Sequence, residues 1–147
     1  MGYWGKPAET ETVLRDGKLH TGDMATIDED GYIYIMSRKT DMIKSGAHRI
    51  APREIEEALL KDESVFEAAV VGRPDAILGE SICAFVVLKN SQTSSADGLL
   101  RVCRENLPQY IIPKEIFFMK SLPKTKNMKI KKADLKKILQ TSVEVKK

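Results

Sequence analysis

Val65-Phe66-Glu67-Ala68-Ala69-Val70-Val71, then Gly72-Arg73-Pro74-Asp75, then Ile82-Cys83-Ala84-Phe85-Val86-Val87-Leu88: two apolar runs separated by a breaker decide the fold of this 147-residue chain. Short runs of this kind, rich in β-branched residues and bounded by Gly and Pro, predict strands, the second fully buried. The expectation is that Gly72-Arg73-Pro74-Asp75 ends the first strand. Upstream, Pro52 suits the first turn of a helix. Ile55, Ala58 and Leu59 recur at helical spacing, which predicts a helix over 52–61. Downstream, a polar loop over 91–95 leads to a helix, Ala96 to Asn106, with Leu99, Leu100, Val102 and Cys103 inward. A short strand over 115–119 and a last helix over 134–140, using Leu135, Ile138 and Leu139, complete the order. That order, α-β-β-α-β-α, predicts a small α+β domain: a three-stranded sheet with flanking helices.

The first third of the chain reads differently. Arg15-Asp16-Gly17-Lys18 and Asp28-Glu29-Asp30-Gly31 are turn signals. Tyr32-Ile33-Tyr34-Ile35 after the second turn, with Met24 to Ile27 before it, predicts a β-hairpin. Residues 1–37 are expected to be turns and short strands, too few and too open to bury a core by themselves. Residues 38–50 are polar, with Lys39, Lys44 and Gly46, and read as a linker running into a loop.

Composition narrows the function classes. Apolar residues are 42% and charged residues 31%, the balance of a folded chain with a charged surface. A formal net charge of +3 is too weak to suggest a nucleic-acid partner. The longest apolar stretch, Ile82 to Leu88, is too short to span a bilayer, and Met-Gly-Tyr-Trp-Gly-Lys lacks the form of a signal peptide. Cys83 and Cys103 have no CxxC partner and sit in apolar patterns, as reduced core thiols do. The expectation is a cytoplasmic protein.

Four blocks, in order, carry a more specific signal. The first is Gly2-Tyr3-Trp4-Gly5-Lys6-Pro7 followed by Leu19-His20-Thr21-Gly22-Asp23. The second is Asp30-Gly31-Tyr32-Ile33-Tyr34-Ile35-Met36-Ser37-Arg38-Lys39-Thr40-Asp41-Met42-Ile43-Lys44. The third is Ser45-Gly46-Ala47-His48-Arg49-Ile50-Ala51-Pro52-Arg53-Glu54-Ile55-Glu56, and the fourth is Leu122-Pro123-Lys124-Thr125-Lys126-Asn127-Met128-Lys129-Ile130. Together they resemble the adenylate-forming superfamily of acyl-CoA synthetases, luciferases and peptide-synthetase adenylation domains, over roughly residues 2–135. The family's large N-terminal domain, with its Ser/Thr/Gly-rich phosphate loop and most of the acyl pocket, has no counterpart in these residues. The resemblance therefore implies a piece of a longer enzyme. Residues 1–37 would be the end of the N-terminal AMP-binding domain, 38–44 the hinge, 45–140 the C-terminal lid domain and 141–147 a frayed tail.

The resemblance also implies chemistry. Family members join a carboxylate to the α-phosphate of ATP, expel pyrophosphate, then pass the acyl group to a thiol, usually that of CoA, releasing AMP. Asp23 would accept hydrogen bonds from the ribose hydroxyls; an ionised carboxylate has only acceptors to offer. Arg38 would touch the ribose or phosphate, and Arg49 the nucleotide or CoA phosphates, each with a planar fixed charge. The alternative for Arg38 is a surface ion pair with Asp41 or Glu29. Thr40 stands at the hinge position, where the family usually has Asp or Lys. Ser45-Gly46-Ala47 would border the CoA tunnel, with Ala47 where a second glycine is usual. His48 reads as a polar loop residue and not a base.

Lys129 would bridge the attacking carboxylate and the α-phosphate; a mobile point cation suits two converging anions. Met128 stands where the family usually has glycine. Lys126, Lys131 and Lys132 read as a solvated basic patch. The implied co-substrates are a carboxylic acid, ATP with Mg2+ held largely by the absent domain, and CoA; no protein-held metal site is implied. The Lys44-Ser45-Gly46-Ala47 loop and the Leu122-Pro123-Lys124-Thr125 entry lean toward acyl-CoA synthetases. A carrier-protein phosphopantetheine as acceptor, or a non-enzymatic basic module built on the run Lys124 to Lys137, stay open as alternatives.

Overall fold

A computed structural model describes residues 2–90 and 92–144, with side chains through Thr141. The chain divides into two compact units, Met1–Thr40 and Asp41–Lys147.

The first unit opens with helix α1, Pro7–Val13, which has Pro at its first turn. Its start is held by polar contacts: Lys6 pairs with Glu9 at 2.7 Å, and the Thr10 hydroxyl donates to the Lys6 carbonyl at 2.9 Å. This helix departs from the turns and short strands expected for residues 1–37. Its sequence, Pro-Ala-Glu-Thr-Glu-Thr-Val, has no apolar stripe and none of its residues is buried, so periodicity offered no signal. Strands β1, Leu14–Arg15, and β2, Lys18–Leu19, form a two-residue hairpin. Asp16 and Gly17 at its turn both have positive φ, 51° and 72°, the geometry that matches the strand twist.

Strands β3, Asp23–Ile27, and β4, Ile33–Arg38, make the predicted second hairpin, paired from Ile27↔Ile33 to Asp23↔Arg38 with a register shift between Met24 and Ala25. Asp28 organises its turn. One carboxylate oxygen accepts from the backbone N–H groups of Asp30 and Tyr32, and the other accepts from the Tyr34 hydroxyl at 2.8 Å. The Tyr34 and backbone donors hold the Asp28 carboxyl below its ordinary range. No residue of β3 or β4 is buried; Ile27, Ile33, Tyr34 and Ile35 all stand exposed.

In the second unit, β5, Ile43–Ser45, and β6, His48–Ile50, form a hairpin where a linker and loop were expected. The buried apolar residues Ile43 and Ile50 lie at its outer ends and pair with each other, Ser45 is buried as well, and Lys44, His48 and Arg49 face solvent. Gly46, at φ 58°, supplies the positive-φ first residue of the two-residue turn. Helix α2, Pro52–Leu59, follows as predicted, burying Ile55, Ala58 and Leu59.

Strands β7, Val65–Asp75, and β8, Gly79–Leu88, form one long antiparallel hairpin. Thus Gly72-Arg73-Pro74-Asp75 does not end the strand. β7 lies at the edge of the sheet, where a proline lacking its N–H breaks no ladder on the open side. The turn falls instead at residues 76–78, where the Asp75 carboxylate accepts from the N–H groups of Ile77 and Leu78, both at 3.0 Å.

Helix α3, Ala96–Asn106, is N-capped by Ser95, whose hydroxyl accepts from Gly98 N–H at 3.0 Å. A 3-10 turn, Gln109–Ile111, leads to β9, Glu115–Phe118, which runs parallel to β8. Helix α4, Lys132–Glu144, exceeds the 134–140 expected and continues through the start of the segment read as a frayed tail. The rest of that tail, residues 145–147, lies outside the described residues, as does Ser91 of the polar loop.

The sheet order is β6-β5-β8-β7, with β9 also on β8. It therefore has five strands, not three, the β5–β6 hairpin making the difference. Strand alternation sends successive residues to opposite faces. Val70, Ile82, Ala84 and Val86 pack with Ile55, Leu59, Leu99 and Cys103 of α2 and α3. Val71, Cys83, Phe85 and Val87 pack with Leu122, Leu135 and Leu139, two of them from α4. Helices cover both faces, which is why β8 reads as an unbroken apolar run instead of an alternating one. No helix among the described residues is long and apolar enough to cross a membrane.

Candidate nucleotide and thiol site

The two nucleotide-binding residues predicted in the first unit come together. Asp23 and Arg38 are cross-strand partners at the open end of the β3–β4 hairpin, and Arg38 Nε lies 3.6 Å from Asp23 Oδ1. Arg38 thus meets Asp23, where Asp41 or Glu29 had been the alternative expected for it. Lys39 N–H donates to the Gly22 carbonyl at 2.8 Å and closes this end. Gly22 has φ 74°, a backbone that a residue with a side chain rarely adopts. Thr40 is the last residue of the first unit.

Ser45, Gly46, Ala47 and Arg49 lie on the β5–β6 hairpin of the second unit. The hairpin is tied down at two backbone points. Lys44 N–H donates to Glu80 Oε2 at 2.7 Å, and Gly46 N–H donates to the Leu78 carbonyl at 2.8 Å. Gly79, φ 79°, lets the β7–β8 turn come close: a Cβ there would sit 3.4 Å from the Lys44 carbonyl oxygen. Gly46 and Ala47 stay exposed at the tip, a small-residue surface beside exposed Arg49. His48 stacks on Tyr110, ring centroids 4.2 Å apart. This stack escaped sequence reasoning because 62 positions of chain separate the two rings, and only the fold brings them together.

Lys129 lies on the loop between β9 and α4. Lys124 and Ile130 form an isolated antiparallel bridge, and Thr125 fastens the turn between them. Thr125 N–H donates to the Lys129 carbonyl at 2.8 Å, Met128 N–H donates to the Thr125 carbonyl at 3.0 Å, and Lys129 N–H donates to the Thr125 hydroxyl at 3.2 Å. Met128 takes φ 61°, the left-handed conformation for which glycine is suited. The lysines around this turn divide into two kinds. Lys124 pairs with Glu67, Lys132 with Glu56 at 2.7 Å, and Lys131 with Asp134 at 3.8 Å. Lys126 and Lys129 form no ion pair among the described residues. Lys132, read from sequence as solvated patch, is instead a part-buried contact to α2. Its partner lies 76 positions away, so no local pattern could have shown it.

Burial pushes the Cys103 thiol up to about 11 and raises that of Cys83, so both stay protonated and fit core roles. Among the described residues no group of three or more His, Cys, Asp and Glu could hold a metal ion.

Comparison with known proteins covers most of the chain. Over 124 residues the chain is 49% identical to the long-chain-fatty-acid–CoA ligase of Bacillus subtilis, covering 84% of this chain and 22% of that enzyme. The o-succinylbenzoate CoA synthetase of Bacillus subtilis, solved with its acyl-adenylate intermediate, superposes with a TM-score of 0.86 at 34% identity, over 92% of this chain and 28% of that one. An amide bond synthetase from Marinactinospora thermotolerans superposes with a TM-score of 0.83 at 35% identity, over 92% and 28%. The chain thus spans about a quarter of the length of the proteins it matches. Residues 54–129, from α2 to the exposed lysine of the Thr125 turn, match the AMP-binding enzyme C-terminal domain, and the chain belongs to that family.

Proposed function

We propose that this chain is the C-terminal part of an ATP-dependent carboxylate–CoA ligase, which forms an acyl-adenylate and then an acyl-CoA, releasing pyrophosphate and AMP. In this reading the second unit is the lid domain, and Lys129 delivers its ammonium between carboxylate and α-phosphate. Asp23 and Arg38 face the ribose, Arg49 the phosphates of the nucleotide or of CoA, and Ser45-Gly46-Ala47 the pantetheine. Thr40 and its neighbours act as the hinge between the two half-reactions.

The observation that carries the proposal is Lys129: an exposed ammonium with no ion pair among the described residues, on a hydrogen-bonded turn flanked by Lys124, Lys131 and Lys132, which are each committed to a carboxylate. A cation meant to meet two incoming anions must be without an intramolecular carboxylate partner. The open apolar face of β3–β4 supports the proposal as well, since Ile27, Ile33 and Ile35 would be covered by the rest of a larger domain. Magnesium would travel with the ATP phosphates; the described residues form no protein cage for it. The acyl group is selected outside this chain. CoA is preferred over a carrier-protein phosphopantetheine because the Bacillus subtilis relative, at 49% identity, is a long-chain-fatty-acid–CoA ligase.

The test is a chimera in which this chain replaces the matching C-terminal portion of the Bacillus subtilis ligase, with Lys129→Ala as the variant. Carboxylate-dependent ATP–pyrophosphate exchange is expected to fall by roughly 10²–10³, the scale of losing one preorganised charge-stabilising donor. Thioester formation from supplied acyl-adenylate is expected to survive. Retained exchange in the variant refutes the role of Lys129. Loading of a holo-carrier protein but not of CoA refutes the acceptor.

A further inference from the structure

Lysine has a long flexible stem, so placing its ammonium to within a fraction of an ångström falls to the backbone that carries it. The Lys129 turn is short, exposed at its tip, and bent through a strained Met128. Its hydrogen bonds, those around Thr125 and that from Lys131 N–H to the Pro123 carbonyl at 2.8 Å, lie within residues 123–131, so they shape the turn but do not attach it to the domain. Two ion pairs help to do that, one on each side. Lys124, immediately before Thr125, pairs with Glu67 of β7. Lys132, three residues after Lys129, pairs with Glu56 of α2, and the same Glu56 oxygen accepts from Val70 N–H of β7 at 2.8 Å. All four side chains are only about a fifth exposed, between 19% and 22%, unlike the solvent-facing Lys6–Glu9 and Arg53–Glu57 pairs. Leu122, just before the first foot, and Ile130, between the two, add apolar contacts to the α4 face of the core.

We propose that Glu56 and Glu67 are positioning residues for Lys129, clamping the two feet of its turn to α2 and β7 so that the ammonium arrives at the reacting anions in one geometry. The proposal rests on the reading of Lys129 given above. Partly buried ion pairs suit this task. They add modest net stability, but they fix geometry, because each charge has one satisfactory partner. Release of either foot would leave the second unit folded on its two apolar clusters and let the turn move by an ångström or more. Displacement on that scale costs on the order of 10²-fold in rate when a reacting group is misplaced.

The variants are Glu56→Gln and Glu67→Gln, which keep an acceptor oxygen and lose the charge, and the charge swap Glu67→Lys with Lys124→Glu. In the 147-residue chain, exchange of the Met128 and Lys129 amides is expected to quicken at least about tenfold in each Gln variant, with Ala84 and Phe85 amides of β8 unchanged. In the chimera, the adenylation rate constant is expected to fall about 10- to 100-fold, while thioester formation from supplied acyl-adenylate stays at the parent rate. The charge swap is expected to restore both readouts.

An equal fall in both half-reactions overturns the proposal, because a merely structural pair would weaken every use of the domain. Unchanged amide exchange overturns it as well. If Lys129→Ala abolishes adenylation while both Gln variants match the parent, positioning by Glu56 and Glu67 is refuted and the function stands. If Lys129→Ala leaves adenylation intact, the reading of Lys129 fails and the positioning role falls with it.

Discussion

Met128 holds φ 61° with an exposed side chain, so it bears the steric cost of the left-handed region and gains little burial in return. Met128→Gly removes a cost of about 1–2 kcal/mol and adds back an entropic one of about 0.5–1 kcal/mol. A net gain of about 0.5–1 kcal/mol is expected in urea unfolding of the second unit. An unchanged or lower midpoint would show that the turn relaxes in another way. Asp75 is a second residue with a legible role. The N–H groups of Leu78 and Ile77 and the Lys114 ammonium hold its carboxyl at about 2, below the ordinary 3.8. A depressed carboxylate contributes stability that is complete above its unfolded value and is lost as pH falls through the folded one. Asp75→Asn is therefore expected to flatten the acid side of the stability profile between about pH 4 and pH 2, with little change in its slope above that window. Melting temperatures recorded across that range check it.

The β5–β6 hairpin depends on a carboxylate from another strand. Glu80 on β8 accepts from Lys44 N–H, and the same side chain lies over Gly72 of β7, where an added Cβ would sit 2.7 Å from the Glu80 carboxyl carbon. Gly72→Ala must therefore push Glu80 aside. The expected loss is about 1–2 kcal/mol, the cost of leaving an amide without its charged acceptor, together with faster amide exchange at Lys44 and not at Val86. Fast exchange throughout β8 would instead show that the substitution disturbs the sheet. Helix α2 and strand β8 behave as their local patterns predict, because α2 buries its periodic residues and β8 its unbroken apolar run. The β5–β6 hairpin and α1 do not. The hairpin buries Ile43 and Ile50 against distant strands, and α1 buries nothing, so one has a tertiary signal and the other a polar one.

Across the whole molecule, the apolar core belongs to the second unit. Both clusters are built from residues between Ile43 and Leu139, while the strands of the first unit bury none. Residues 41–147 by themselves are expected to unfold in one cooperative urea transition, whereas residues 1–40 are expected to show none. A gradual, non-cooperative loss of signal from 41–147 would contradict the two-cluster core.

The sequence alone determined the class of the fold, the hairpin around Asp28, and helices α2 and α3, and it nominated the candidate site residues. Those are short-range matters: a period, a cap, a turn residue, or an ordered set of motifs. It also marked Met128 and Ala47 as departures, and Met128 takes the left-handed backbone for which glycine is suited. Tertiary structure alone decided that the sheet has five strands, that β7 continues through Pro74, that His48 stacks on Tyr110, and which lysines near Lys129 are held. Each of these is a contact between residues dozens of positions apart. Local physics proposes many partners for a lysine or an edge strand; only the packed core, by fixing which surfaces meet, selects one.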